Sequence, residues 1–123
     1  MTPRWERRFR APVITDLDWS PAAPSRLAYE STESGVWQLH VADLDAGVRR
    51  QVTDHPVGVI SGAWSPDGAD ICWWQDETGD ESGRWYTQPF EGGDPRLLFP
   101  ELDRGWNEGI AWVPGILAAS ISA

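Results

Sequence analysis

Between Asp76 and Glu81 the chain reads Asp-Glu-Thr-Gly-Asp-Glu, four carboxylates in six positions. Side chains of this kind could hold a cation or act as the acid and base of a glycosidase. A calcium loop of the EF-hand type needs oxygen ligands at alternating positions and a closing Glu at the twelfth, a spacing absent here. Neighbouring loop carboxylates also set no separation across a sugar ring. The expected role is a solvated turn joining two strands, with Asp76 or Asp80 accepting backbone N–H groups. No metal site and no cofactor site is assigned.

His40 and His55 are the only histidines. A Ser-His-Asp arrangement could be drawn from them on paper, because Ser and Asp are abundant, but abundance supplies no geometry. His40 is expected in a strand and His55 in the loop Thr-Asp-His-Pro-Val-Gly. Cys72 is the single cysteine, which excludes an internal disulfide and a cysteine-based metal site. Its place between Ile71 and Trp73 predicts an apolar setting and an inert, protonated thiol. No Gly-x-Ser-x-Gly nucleophile elbow occurs in the chain. No catalytic residue is assigned.

The elements that must position these residues follow from composition. A chain of 123 residues with 41% hydrophobic residues, nine Trp, 12 Gly and 10 Pro is expected to fold as one modest domain of short strands and turns. The formal net charge of −9 argues against a nucleic-acid surface. Arg4, Arg7, Arg8 and Arg10 nevertheless crowd the first ten residues, which marks an N-terminal arm. This arm is expected to form a helical turn or two, with Thr2 as N-cap, Pro3 at the first position and Trp5 and Phe9 on one face. Pro12 breaks the apolar run that a secretory signal would need. The closing Ile-Leu-Ala-Ala-Ser-Ile-Ser-Ala is far short of the roughly 20 residues that span a bilayer and is expected to be a buried strand. The expected location is the cytoplasm, with no membrane partner.

Trp73 and Trp74 are adjacent, so on a strand they point to opposite sides and require cover on both faces. Self-comparison supplies the reason. Leu-Asp-Trp-Ser-Pro, Gly-Ala-Trp-Ser-Pro and Ile-Ala-Trp-Val-Pro align on Trp19, Trp64 and Trp112, spaced 45 and 48 residues apart. Trp37 and Trp85 correspond at the same offset of 48. Four short strands per unit of about 45 residues is the pattern of a β-propeller blade, in which each sheet has a neighbour on either side. The predicted fold is all-β: a partial β-propeller of about two four-stranded antiparallel blades plus the start of a third. The boundaries are an arm over residues 1–16, a first repeat over 17–61, a second over 62–109 and a truncated third over 110–123. A single antiparallel sandwich with an aromatic core is the alternative. Propellers close with roughly four to eight blades, so this stretch cannot close a ring alone.

Arg-Trp-Glu-Arg-Arg-Phe-Arg-Ala-Pro from Arg4, and the stretch from Arg50 to Gly93 with its Trp-Ser-Pro-Asp-Gly turn and Trp-Trp-Gln-Asp-Glu-Thr-Gly-Asp-Glu loop, resemble the N-terminal propeller of prolyl-oligopeptidase-family serine peptidases, in particular the acylaminoacyl-peptidase-like branch. The Trp-Ser-Pro-Asp-Gly turn is shared with TolB-type propellers. The resemblance implies a propeller that caps an α/β-hydrolase domain carrying the Ser, Asp and His triad and admits only small peptides. The implied role of this chain is non-catalytic: gating access to a hydrolase domain that lies outside it. The implied partners are that domain and the remaining blades, with peptides as substrates of the complete enzyme. The alternative is a stand-alone TolB-like binding or scaffold module completed by self-association.

Overall fold

The computed structural model describes Met1 and residues 3–123; Thr2, expected as the N-cap, lies outside the described residues. The helix α1 spans Arg4–Phe9, with Pro3 at the N-cap and no side-chain cap. Six residues are too few for a helix to be stable without packing, yet none of them is buried. Trp5 and Phe9 are both solvent-exposed.

The rest is all-β. The first sheet contains β1 (Ile14–Trp19), β2 (Arg26–Ser31), β3 (Gln38–Asp43) and β4 (Val48–Gln51), hydrogen-bonded in sequence order and antiparallel throughout. The second contains β5 (Gly62–Trp64), β6 (Asp70–Asp76), β7 (Ser82–Pro89), β8 (Arg96–Leu97), β9 (Gly105–Val113) and β10 (Ile116–Ser122). Its order is β10-β9-β7-β6-β5, with β8 also paired to β7. The second sheet therefore has six strands, because the β9–β10 hairpin joins it. The union is narrow: β9 meets β7 at Ser82↔Trp106 and Gly83↔Gly105. A Cβ on Gly83 would strike the Gln75 carbonyl, and one on Gly105 the Ser122 carbonyl. Glycine at these two places therefore lets β7 lie close on β6 and β9 close on β10, on either side of the seam.

Strand alternation on β6 divides the interior in two. Ile71 and Trp73 point one way, joining Trp64, Val59 and Phe90 against Ala28, Leu39 and Val41 of the first sheet. Cys72 and Trp74 point the other way and join Trp85. This second cluster is covered by Ile110, Trp112, Ala119 and Ile121 of the β9–β10 hairpin. Trp73 is 1% exposed and Trp74 8% exposed, so both neighbours on one strand are buried. A two-layer sandwich has one interior and does not bury both faces of a strand; here β6 is the middle layer. Two arginines tie the first sheet to the second at its rim. Arg26 donates to the Gly68 carbonyl at 3.0 Å and lies over the Phe90 ring at 4.1 Å. Arg50 donates to Gln88 Oε1 at 2.8 Å and to the Phe90 carbonyl at 2.7 Å.

The Trp-x-Pro turns follow β1, β5 and β9 in turn. In Ser-Pro-Asp-Gly the Gly68 N–H closes a β-turn on the Ser65 carbonyl at 2.9 Å. The Asp67 carboxylate accepts the Ala69 N–H, and Ser65 Oγ accepts the Asp70 N–H. Gly68 has φ +70°, and a Cβ there would lie 2.5 Å from that of Ala23 in the preceding turn. The first two turns are therefore in direct contact: Ser20 Oγ donates to the Pro66 carbonyl at 2.8 Å, and Trp64 Nε1 to the Asp18 carbonyl at 3.3 Å. A shallow cleft brings Ala22 and Pro66 together with Trp112 and Pro114 of the third turn.

Candidate functional site

The acidic loop is a turn organised around one side chain. Asp76 Oδ1 accepts the N–H groups of Thr78 and Gly79 at 3.1 and 2.7 Å, and Oδ2 accepts that of Glu81 at 2.9 Å. Desolvation raises the Asp76 carboxyl, but the backbone donors at Glu81, Gly79 and Thr78 outweigh it and hold it below the ordinary carboxylate value. Asp80 accepts from Arg104 at 2.6 Å. With Asp76 committed to the backbone and Asp80 to Arg104, the loop offers no converging oxygens. Among the described residues no group of three or more His, Cys, Asp or Glu side chains is arranged to hold a metal ion.

The histidines lie in separate surroundings. His40 is buried on β3, stacked on Tyr29 at 5.2 Å, with Nδ1 3.3 Å from Glu33 Oε1. Burial lowers its pKa, against the raising influence of Glu33. His55 sits in the segment between the sheets, where its carbonyl accepts from Gln38 Nε2 at 2.7 Å and its N–H donates to Gln38 Oε1 at 3.2 Å. Cys72 is fully buried, in the apolar setting expected of it, and desolvation pushes its thiol up to about 12, which favours the protonated form.

The surfaces that stand out are instead apolar and lie at the two ends of the layer stack. On β1, Ile14, Leu17 and Trp19 are exposed, and Trp19 retains 54% of its surface. On the hairpin, Val113 and Ile116 face outward opposite each other, while Leu117, Ala119 and Ile121 turn inward. The closing segment is thus a strand, but half-buried where a buried one was expected, because only one of its faces meets a second layer. Beside β1 lies a second unusual feature. Asp16 adopts φ +52° where the β1–β2 register shifts, next to buried Glu30. Desolvation, with the hydrogen bond and charge of Asp16, pushes the Glu30 carboxyl up to about 7. The sequence carried no signal for this pair, since the bulge that brings the carboxylates together is a tertiary event.

A cleft of about 520 Å³ opens where the segment between the sheets passes the acidic loop. Its walls include Trp37, Trp74 and Trp106, with Asp76 and Glu81 among the lining residues. Sequence comparison singles out Trp37 and Trp74 as sheet aromatics but leaves Trp106 unmarked. They come from the residue that precedes β3, from β6 and from β9, and nothing in their spacing announces a common wall.

No family model matches the chain. A 57-residue stretch, 46% of the chain, is 37% identical to a Bacillus subtilis (strain 168) protein named as the uncharacterized peptidase YuxL. The match covers 9% of that protein's length, so the chain is similar to a small part of a peptidase-related protein. No described helix is long and apolar enough to cross a membrane.

Proposed function

We propose that the chain is a non-catalytic N-terminal propeller part of a prolyl-oligopeptidase-family serine peptidase, acting in the cytoplasm to gate peptide access to a hydrolase domain outside it. The observation that carries this reading is the pair of bare apolar flanks, β1 on one side and the β9–β10 hairpin on the other. Exposed surfaces of this kind mark absent partners. Three successive Trp-x-Pro turns that meet one another support an assembly growing by repetition, as blades do around an axis. In that assembly residues 17–61 and 62–109 are the first two blades, and 110–123 opens the third. Partial identity to a peptidase-related protein supports the hydrolase as the missing partner.

The same two flanks favour a second reading, a TolB-like module completed by head-to-tail association of copies. Reading the genomic frame beyond the Ala123 codon separates the two. A continuing frame that encodes a Gly-x-Ser-x-Gly elbow, and whose product cleaves a chromogenic acyl-peptide that the 123-residue chain leaves intact, is the expected result. A stop codon together with a defined cyclic oligomer in light scattering would transfer the proposal to the second reading. A stable monomer with Trp19 shielded from a soluble quencher would overturn both.

A further inference from the structure

We propose that the cleft formed by Trp37, Trp74 and Trp106 is a binding site for the basic side chain of an extended peptide. Indole faces attract organic cations through their quadrupole, and the attraction grows when the cation is partly desolvated. The three tryptophans come from the approach to β3, from β6 and from β9, and help to line an open cleft of about 520 Å³, ample for a butylammonium or propylguanidinium group. Trp106 is 48% exposed and accessible to a ligand, while Trp74 is fixed edge-on against Trp85 at 5.6 Å.

The walls are held before any ligand arrives. The Val59 N–H donates to the Trp37 carbonyl at 2.8 Å, and the Trp74 N–H to the Ser61 carbonyl at 3.1 Å, so the intervening segment is anchored on both sides of the cleft. The Gln38 amide clamps the same segment at His55. Preformed aromatic walls lower the ordering cost of binding.

Charge selects the occupant. Asp76 and Glu81 both line the cleft, and no Arg does. Arg104 is held on the far side of the loop, paired with Asp80 at 2.6 Å and donating to Thr78 Oγ1 at 3.5 Å, so it neutralises Asp80 and leaves Glu81 without a cation. Among the described residues the Glu81 carboxylate makes neither a hydrogen bond nor an ion pair, and so is available to a cation. Exposed Ile60 supplies an apolar shoulder for the aliphatic stem of the side chain. Aromatic faces, an apolar shoulder and an unpaired carboxylate match a lysine or arginine side chain, and reject anionic and purely apolar groups. The site stands independently of the propeller reading, since every wall belongs to this chain.

The test is a titration of the ¹⁵N-labelled chain, followed at the nine indole N–H signals, with N-acetyl-Ala-Lys-Ala-amide and with its norleucine isostere. Saturable shifts at Trp37, Trp74 and Trp106, with Trp64 and Trp73 unmoved, are expected for the lysyl peptide and not for the isostere. Glu81→Gln should weaken binding about threefold, in keeping with one exposed charge. Trp106→Ala should weaken it about tenfold. Glu81→Gln alters an exposed loop side chain and keeps the test sharp should Trp106→Ala fail to fold. Equal shifts by the isostere, shifts spread over all nine indoles, or an unchanged affinity in Glu81→Gln would overturn the proposal. Tighter binding of choline chloride at the same indoles would overturn the assignment to a peptide.

Discussion

Trp19 and Trp64 hold the same place in two copies of one local pattern, each ending a strand and preceding Ser-Pro. Trp64 is 6% exposed and Trp19 is 54% exposed. Nothing in the local sequence separates them. The difference is that Trp64 has the first sheet beside it, with its indole N–H bonded to Asp18, whereas β1 has no sheet on its outer side. Burial of an equivalent residue is thus decided by the neighbouring layer. An unburied copy of a buried position marks the edge of the layer stack.

The comparison breaks most readily under truncation. Trp64→Ala should destabilise the chain by about 3–5 kcal/mol, the usual loss for a buried aromatic, while Trp19→Ala should stay within about 0.5 kcal/mol. Urea denaturation midpoints check this, and similar losses at both sites would show that Trp19 is covered in solution.

A second and smaller effect belongs to the β1 flank and depends on pH. The folded-state value of Glu30, about 7, lies above its ordinary 4.5, so the folded state holds the proton more tightly than the unfolded chain does. The associated stability is fully present below the ordinary value and is lost as pH rises through about 7. Glu30→Gln, which keeps the group neutral, should therefore gain on the unsubstituted chain by about 1–2 kcal/mol between pH 5 and pH 8, after allowing for solvent screening. Thermal melts at the two pH values measure it. A constant difference would mean that the Glu30 carboxyl is not raised in the folded chain. Covering β1 with a partner sheet should alter this dependence, which makes it a reporter of the flank.

The smallest effect lies in the acidic loop, away from either flank. Asp76→Ala removes the acceptor for three backbone N–H groups and should cost about 1 kcal/mol, a modest loss because the loop is wetted. Its folded value lies below the ordinary one, so the contribution is present at neutral pH and lost as pH falls through the acid range. Hydrogen exchange at Gly79 and Glu81 should speed up in the variant. Unchanged exchange would show that the turn is held by its strands alone.

Turn chemistry and alternation could be read from the residues themselves. Ser-Pro-Asp-Gly closes through bonds within six residues, and adjacent Trp73 and Trp74 diverge because successive strand residues must. The repeat of Trp-x-Pro locates three of the strand ends, and the place of the single cysteine between large apolar neighbours predicts the buried setting that Cys72 has. These features rest on interactions between near neighbours in the chain, which the order of residues determines directly. The union of β9 with β7 at Gly83 and Gly105, the bulge that sets Asp16 against Glu30, and the meeting of Trp37, Trp74 and Trp106 were decided only in three dimensions. Each joins segments far apart in the chain, and many registers satisfy the same local preferences. Packing density and the avoidance of backbone collision select one of them, and those terms exist only once the layers are assembled.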